Sequence, residues 1–467
     1  ADSKNPTAKR ESAALRAALT RRPEEIVPPK ALKSFAPVVP AQPGRAPVVR
    51  VAVGTTNLGK PAPRPEVAFL CEGPFELYDP DGMKVLLVGP AKEPWSARRA
   101  KKGGYEVYDA SGARKAGFKS RLGVRPRDPG HSLIVQRLDI AQGTAWAVQG
   151  DRQLKGALEI RGAGRAGMTL VSVLNLEDYL YGVVNEEMPS KFHMEALKAQ
   201  AVIARNHALI VKDLWKPHRK SGYDLCDGQH CQVYGGVAAE TDRGRRAVDE
   251  THAVALMFQG RLAQAPYSSN CGGHTQGSGE TGGWFKAPYL TGGRDSGDGR
   301  PEPKTPWENE RWLKSSPAVY CNIPEYMHPS HFRWSRSIAA SDLAERLKRR
   351  KRGGVGVLKR VRVLARSVSG NVNKVLFEGT KGRLVVDKEA GVRGVFSVSS
   401  LRNTMFLLES ERDAKGLLSE LLVYGGGWGH NVGLCQYGAL GRALAGQDFN
   451  AILAHYYRGA TLKRLDY

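Results

Sequence analysis

One stretch, NLEDYLYGVVNEEMPSKFHMEALKAQAVIARNHALIV (residues 175–211), constrains the fold more than any other. Met194, Leu197, Ala201, Ala204, Ala208 and Val211 recur at alternating steps of three and four. That spacing paints an apolar stripe on a helix. Pro189 and Ser190 open the helix, and Arg205 falls on its flank. The adjacent carboxylates Glu186 and Glu187 then sit in a loop fed by a strand, MTLVSVLNL. An acid is thus set in front of a buried helix. By spacing alone it reads as an ordinary surface turn, because most charged side chains face water.

The rest of the chain reads as a β-rich α+β protein. Residues 1–46 are polar, then Pro-rich, and are expected to form a flexible tail of extended character. Over residues 47–165 the runs VVRVAVG, KVLLVG, YEVYDA, SLIVQRLDI, TAWAVQG and ALEIRG are separated by Gly, Asp-Gly or Pro. Such punctuation predicts an antiparallel β N-terminal domain. A mixed α/β catalytic core is expected over 166–331 and 411–467, with AVALMFQGRLAQAPY as two strands joined at Gly260–Arg261. Residues 301–330 look irregular. Residues 332–410 read as an inserted β-rich second lobe, with an active-site groove between lobes. This lobe starts with a strand and a helix, ASDLAERLKRRKR, capped by Ser341. VLKRVRVLARSV, KVLFEG, GRLVVDK and GVFSV follow as strand-and-turn structure. A Gly-rich loop then leads into helices at Gln436–Leu444 and Phe449–Tyr457.

Charge narrows the partners. The 467 residues carry 70 Lys+Arg against 46 Asp+Glu, a formal +24. This favours a polyanion: nucleic acid, an anionic membrane face or the anionic cell wall. No nucleic-acid-binding motif stands out, which argues against the first. No run reaches the roughly eighteen apolar residues of a spanning helix. The first twenty or so residues also lack the apolar centre of a signal peptide. Either the chain is intracellular or a signal is removed before Ala1.

Three groups of residues carry chemistry. A glycosidic bond needs an acid to protonate the leaving oxygen, and only a Glu in an apolar setting stays protonated for that task. Val183, Val184 and Met188 flank Glu187, whereas Glu186 points elsewhere. His218, Cys226, His230 and Cys231 have the softness and reach for Zn²⁺; a Cys226–Cys231 disulfide or two unlinked thiols are the alternatives. Cys271 and His274 supply a further ligand if the loops meet, and Cys71, Cys321 and Cys435 default to buried core. The GGGWGHNVG loop matches no nucleotide fingerprint. It reads as close backbone packing around a substrate groove, with His430, Gln436 and Tyr437 beside it and Tyr267, Ser268 and Ser269 as further lining.

Taken together, EDYLYGVVNEEMPSKFHMEALKAQAVIARNHAL, DLCDGQHCQVYGG, APYSSNCGGHTQ and GGGWGHNVGLCQYGALGRALAGQDFNAILAHYYRG resemble, in order, the blocks of the SpoIID family, the sporulation lytic transglycosylases and related amidase enhancers. The resemblance covers about residues 47–467, most strongly 166–295 and 424–460. It implies a secreted, periplasmic or cell-envelope enzyme acting on peptidoglycan glycan strands, especially strands stripped of stem peptides. It also implies Glu187 of the Glu-Met-Pro triplet as catalytic acid and Arg205 as the functionally important arginine. A structural zinc, not required for catalysis, would sit on His218, Cys226 and Cys231 with His230 as fourth ligand. Tyr267, Ser269, Gln436 and Tyr437 would line the substrate groove. An N-acetylmuramoyl-L-alanine amidase is an implied partner, and a monomer is expected. Two positions depart from the pattern: Asn431 replaces a Gly, tolerable because Asn accepts left-handed geometry, and His207 replaces an aromatic residue.

Overall fold

The computed structural model describes residues 32, 34–39, 46–144, 147–297, 305–350, 354–396 and 401–467. It is mixed α/β and strand-rich, 25% helix and 37% strand over several sheets. The chain divides into two compact units. The first is Ala1–Ser190, Ala208–Ala253 and Leu465–Tyr467; the second is Lys191–His207 and Val254–Arg464.

Two sheets build the first unit. One runs in the order Leu225–Cys226, Val48–Val53, Met168–Asn175, Ala157–Gly162, Arg121–Pro126, Phe75–Asp79, Lys84–Gly89. All its neighbours are antiparallel except the first pair, which is parallel. The other is antiparallel throughout: Val148–Leu154, Leu133–Ile140, Glu66–Cys71, Trp95–Arg99, Tyr105–Tyr108, Arg114–Phe118. Phe75 of the first sheet meets Phe69 and Trp95 of the second edge-on, with centroids 5.7 and 5.2 Å apart. These rings join the two inner faces, a favoured aromatic geometry. The strand runs read from sequence are present; in TAWAVQG the strand starts only at Val148. Much of the expected tail lies outside the described residues. Its 34–39 part is anchored: Ala36 exchanges two hydrogen bonds with the Gln153 amide (2.9 and 2.8 Å), and the Val39 carbonyl accepts from Lys155 (2.6 Å).

Glu186 and Glu187 do not lie in a loop. They end a helix, α1 (Leu176–Glu187). Asn175 caps it by accepting from the Asp178 N–H, and Glu177 and Asp178 place negative charge at its positive end. It stops where Met188 turns extended ahead of Pro189. The apolar positions of LEDYLYGVV show the same three-and-four spacing as the next helix, and that signal was available in the sequence.

Helix α2 (Met194–Ile210) follows, and the chain passes between units inside it, after His207. It shows no single apolar stripe, because every residue from Ala199 to Asn206 is buried. Alanines on all sides let neighbouring backbone close in. Arg205 is fully buried rather than flanking, and Val211 lies in a π-turn beyond the helix. A third helix, α3 (Asp242–Glu250), is capped by Thr241.

The second unit holds α4 (Pro306–Lys314), where an irregular segment was expected. Thr305 and Glu308 form a capping box that the sequence spells out. Next come the sheet Arg333–Ala339, Leu418–Gly426, Phe406–Arg412, and the sheet Leu358–Arg366, Val372–Gly379, Gly382–Asp387. They flank α5 (Ala340–Lys348) and α6 (Glu389–Phe396). One core runs through this region, from Trp334 and Leu343 to Phe377, Phe396, Phe406 and Val423. The N-cap of α5 is Ala339, with no side-chain cap, so Ser341 is inside the helix. In GVFSV, Gly394–Phe396 are helical rather than strand, and the remainder lies outside the described residues. Helices α7 (Gln436–Leu444) and α8 (Phe449–Tyr456) precede a last strand, Thr461–Arg464, which pairs antiparallel with Val254–Phe258. Among the described residues no helix is long and apolar enough to cross a membrane.

Candidate functional site

Glu187 belongs to the first unit, as the last residue of α1. It is partly buried and Glu186 is exposed. The Val233 N–H donates to Glu187 Oε1 at 2.8 Å. That donor is held by its own loop. Asp227 accepts from the N–H groups of Gly54 (2.9 Å) and Thr55 (3.1 Å), the Thr55 hydroxyl (2.7 Å) and the Arg152 guanidinium (2.7 Å). Gly235 N–H donates to the Gly182 carbonyl of α1 at 3.0 Å. The Tyr179 and Tyr234 rings pack with centroids 5.3 Å apart. A cleft of about 350 Å³ opens beside this loop, lined by Glu186, Val233, Asp227 and Arg152 among others.

The same loop carries the thiol–imidazole group. The ligand atoms of His218, Cys226, His230 and Cys231 all lie within 4.8 Å of one another. His218 Nε2 is 3.2 Å from Cys231 Sγ, and His230 Nδ1 is 3.8 Å from Cys226 Sγ and 3.6 Å from Cys231 Sγ. A hydrogen bond between the two thiols lowers Cys226 and, together with burial, raises Cys231. Gly59 is at φ +67°, and a Cβ there would stand 2.8 Å from His230 Nδ1 and 2.9 Å from Cys226 Sγ. The backbone therefore closes over the cluster only because this residue is Gly. Tyr223 stacks on His218 at 4.6 Å and donates to the Gly59 carbonyl at 2.7 Å. Two thiols and two imidazoles under a tight cover fit a tetrahedral zinc. Both cysteines are free thiols.

Arg205 and the expected groove residues Tyr267, Ser268, Ser269, His430, Gln436 and Tyr437 belong to the second unit. Arg205 Nη1 donates to the Val254 carbonyl at 2.9 Å. Its neighbour Asn206, which the sequence reading passed over, bonds the Leu256 carbonyl (2.6 Å), the Ala263 carbonyl (2.9 Å) and the Leu256 N–H (2.7 Å). Together they fasten α2 to the hairpin of Val254–Phe258 and Arg261–Leu262. A parallel pairing of Tyr267–Ser268 with Leu434–Cys435 brings Tyr267, Ser269, Gln436 and Tyr437 together. The Tyr437 N–H donates to the Ser269 carbonyl at 3.1 Å, and Gln436 donates to Gln200 at 3.3 Å. Asn431 adopts the left-handed backbone expected of it (φ +58°) and is fully buried, donating to the Cys271 carbonyl. Burial first, then the charge of Arg393, pushes His430 down to about 4, against a hydrogen bond with the Tyr267 backbone.

Rings missed from sequence extend this surface. Tyr437 meets His331 at 5.7 Å, and His331 meets Trp428 at 4.7 Å. The Arg402 guanidinium lies over Trp428 at 4.1 Å. Trp284 packs on His430 at 4.4 Å. Trp284 and Trp428 are 37% and 38% exposed, enough to present a ring face to a ligand. Cys271 sits with Cys321, Cys435 and Asp295 rather than with His218 and Cys226. His274 bonds its neighbour's carbonyl instead.

Comparison with known proteins adds an independent line. Residues 164–258, which contain Glu187, Arg205 and the thiol–imidazole group, match the SpoIID model (Stage II sporulation protein). Residues 286–433 match a domain of unknown function, DUF8618. The amidase enhancer of Bacillus subtilis (strain 168) is 30% identical over 308 residues, 61% of this chain but only 40% of that protein's length. Stage II sporulation protein D of Bacillus amyloliquefaciens is 25% identical over 315 residues, 63% of this chain and 76% of the relative. Its Bacillus subtilis (strain 168) counterpart is 26% identical over 340 residues, 70% and 85% respectively. The matched segment, and sporulation proteins aligned over most of their own length, lead to one conclusion: residues 164–258 of the chain are a SpoIID-family domain.

Proposed function

We propose that the chain is a peptidoglycan lytic transglycosylase, cutting the β-1,4 bond between MurNAc and GlcNAc in glycan strands stripped of stem peptides. The observation that carries this reading is Glu187, a partly buried carboxylate at a helix end with a backbone N–H fixed on one oxygen. In its acid form Glu187 gives its proton to the glycosidic oxygen as that bond breaks, through an oxocarbenium-like state. The carboxylate then takes the proton of the MurNAc C6 hydroxyl, whose oxygen closes the 1,6-anhydro ring. Proton and leaving group balance without water, so no second carboxylate is needed.

Arg205, with no exposed surface, is a positioning residue that holds α2 to its hairpin. The ring row from Tyr437 to Trp428 offers sugar-binding faces with polar edges. Zinc on His218, Cys226, His230 and Cys231 would act structurally, fixing the loop that presents Val233 to Glu187. The enzyme works in the cell envelope, where its basic surface suits an anionic wall.

Incubation with denuded glycan, followed by mass spectrometry, tests the reading. Anhydro-ended fragments are expected, falling at least about 100-fold in Glu187→Gln, the usual scale for a lost general acid. A second reading, a non-catalytic wall-binding module that stimulates an N-acetylmuramoyl-L-alanine amidase, is favoured by the similarity to the amidase enhancer. Tight glycan binding with no fragments, and a faster amidase, would replace the first reading with the second.

A further inference from the structure

The second unit contains another group of metal-type donors, remote in sequence from the first. Cys271, Cys321, Cys435 and Asp295 are all fully buried. Their ligand atoms lie within 4.8 Å of one another. Cys271 Sγ is 3.6 Å from Cys321 Sγ and 3.6 Å from Asp295 Oδ2. A zinc–sulfur bond of about 2.3 Å implies a tetrahedral edge of about 3.8 Å. The observed separations are therefore close to those of a filled site, and too long for an S–S bond.

The surroundings are those of a site holding anionic sulfur. Cys435 Sγ accepts two backbone N–H groups, from Cys271 at 3.2 Å and from Gly438 at 3.3 Å, the latter in the first turn of α7. Asp295 is oriented from outside: Arg442 Nη2 and Nε reach Oδ1 at 3.0 and 3.1 Å, and the Tyr456 hydroxyl lies 3.0 Å from both oxygens. Metal-ligating carboxylates are typically held this way. Gly438 makes room for that carboxylate, since a Cβ there would come 2.0 Å from Asp295 Oδ2. Arg333 donates to the carbonyl of Gly272, next to Cys271, at 2.9 Å. Three thiolates and a carboxylate around a divalent cation leave an excess of negative charge, which the guanidiniums of Arg442 and Arg333 offset. The donor set is sulfur-rich, closed and four-coordinate, which selects zinc in a structural role.

We propose that Cys271, Cys321, Cys435 and Asp295 form a second, structural zinc site. It joins four stretches far apart in the chain and fixes Cys435, the residue before Gln436 and Tyr437. Binding releases the thiol protons to solvent and changes no oxidation state.

Full-length protein purified without chelators, with its zinc measured by elemental mass spectrometry, tests this. Cys435→Ser is expected to hold one zinc fewer per chain than the parent, whatever the first cluster holds. Equal contents in the two proteins overturn the proposal, as does a Cys271–Cys321 disulfide found in the parent by non-reducing peptide mapping. Should Cys435→Ser fail to fold, cobalt loading of Cys226→Ser/Cys231→Ser reads the second cluster alone. Thiolate-to-cobalt charge-transfer absorption is expected, and its absence overturns the proposal. Neither readout depends on glycan cleavage.

Discussion

Glu187 and its neighbour Glu186 show how much a one-residue step decides. Both end α1, yet only Glu187 is partly buried and takes the Val233 N–H. The family motif singles out Glu187 as the candidate acid; its donor was not legible, because Val233 is remote along the chain and contributes only its backbone. His430 offers a residue-scale test. Its imidazole, pushed down to about 4 mainly by burial, stays neutral in the folded chain to a lower pH than the ordinary 6.5. The unfolded chain therefore binds this proton first as pH falls. The stability it contributes is fully present above pH 6.5 and drains away as pH drops towards 4. His430→Gln should lose less unfolding stability than the parent between neutral and acid pH in urea titrations. Parallel losses would place that pH dependence elsewhere.

Among elements, the short strands and α7 were legible because their signals are local: alternation, turn residues and a helix start. The misreadings share a cause. The prolines of residues 301–330 suggest irregular chain, yet Pro306 sits in the first turn of α4, where its missing N–H costs nothing. The β-branched residues of GVFSV favour a strand, but burial of Val392, Val395 and Phe396 on one side of α6 overrides that preference. Helix α1 matters most, since it delivers Glu187. Its Asn175 cap supplies a testable increment: Asn175→Ala should cost about 1 kcal/mol of stability. Thermal melts check this, and an unchanged midpoint would mean that packing alone sets the helix start.

At the scale of the molecule, two compact units each contain a set of metal-type donors: two thiols and two imidazoles in one, with His230 exposed, and three thiols and a carboxylate in the other, all buried. The first set falls within fourteen residues and could be seen in the sequence. The second could not. Cys271 is 50 residues from Cys321 and 164 from Cys435, and only the fold brings them together. Burial on this scale ties distant segments in a way that no local pattern announces.

Cleavage in water enriched in ¹⁸O tests most directly whether one carboxylate completes the reaction. Intramolecular ring closure by the MurNAc C6 oxygen predicts 1,6-anhydro ends that carry no label. Labelled reducing ends formed by the wild-type chain and lost in Glu187→Gln would contradict it, and would assign the same carboxylate to ordinary hydrolysis.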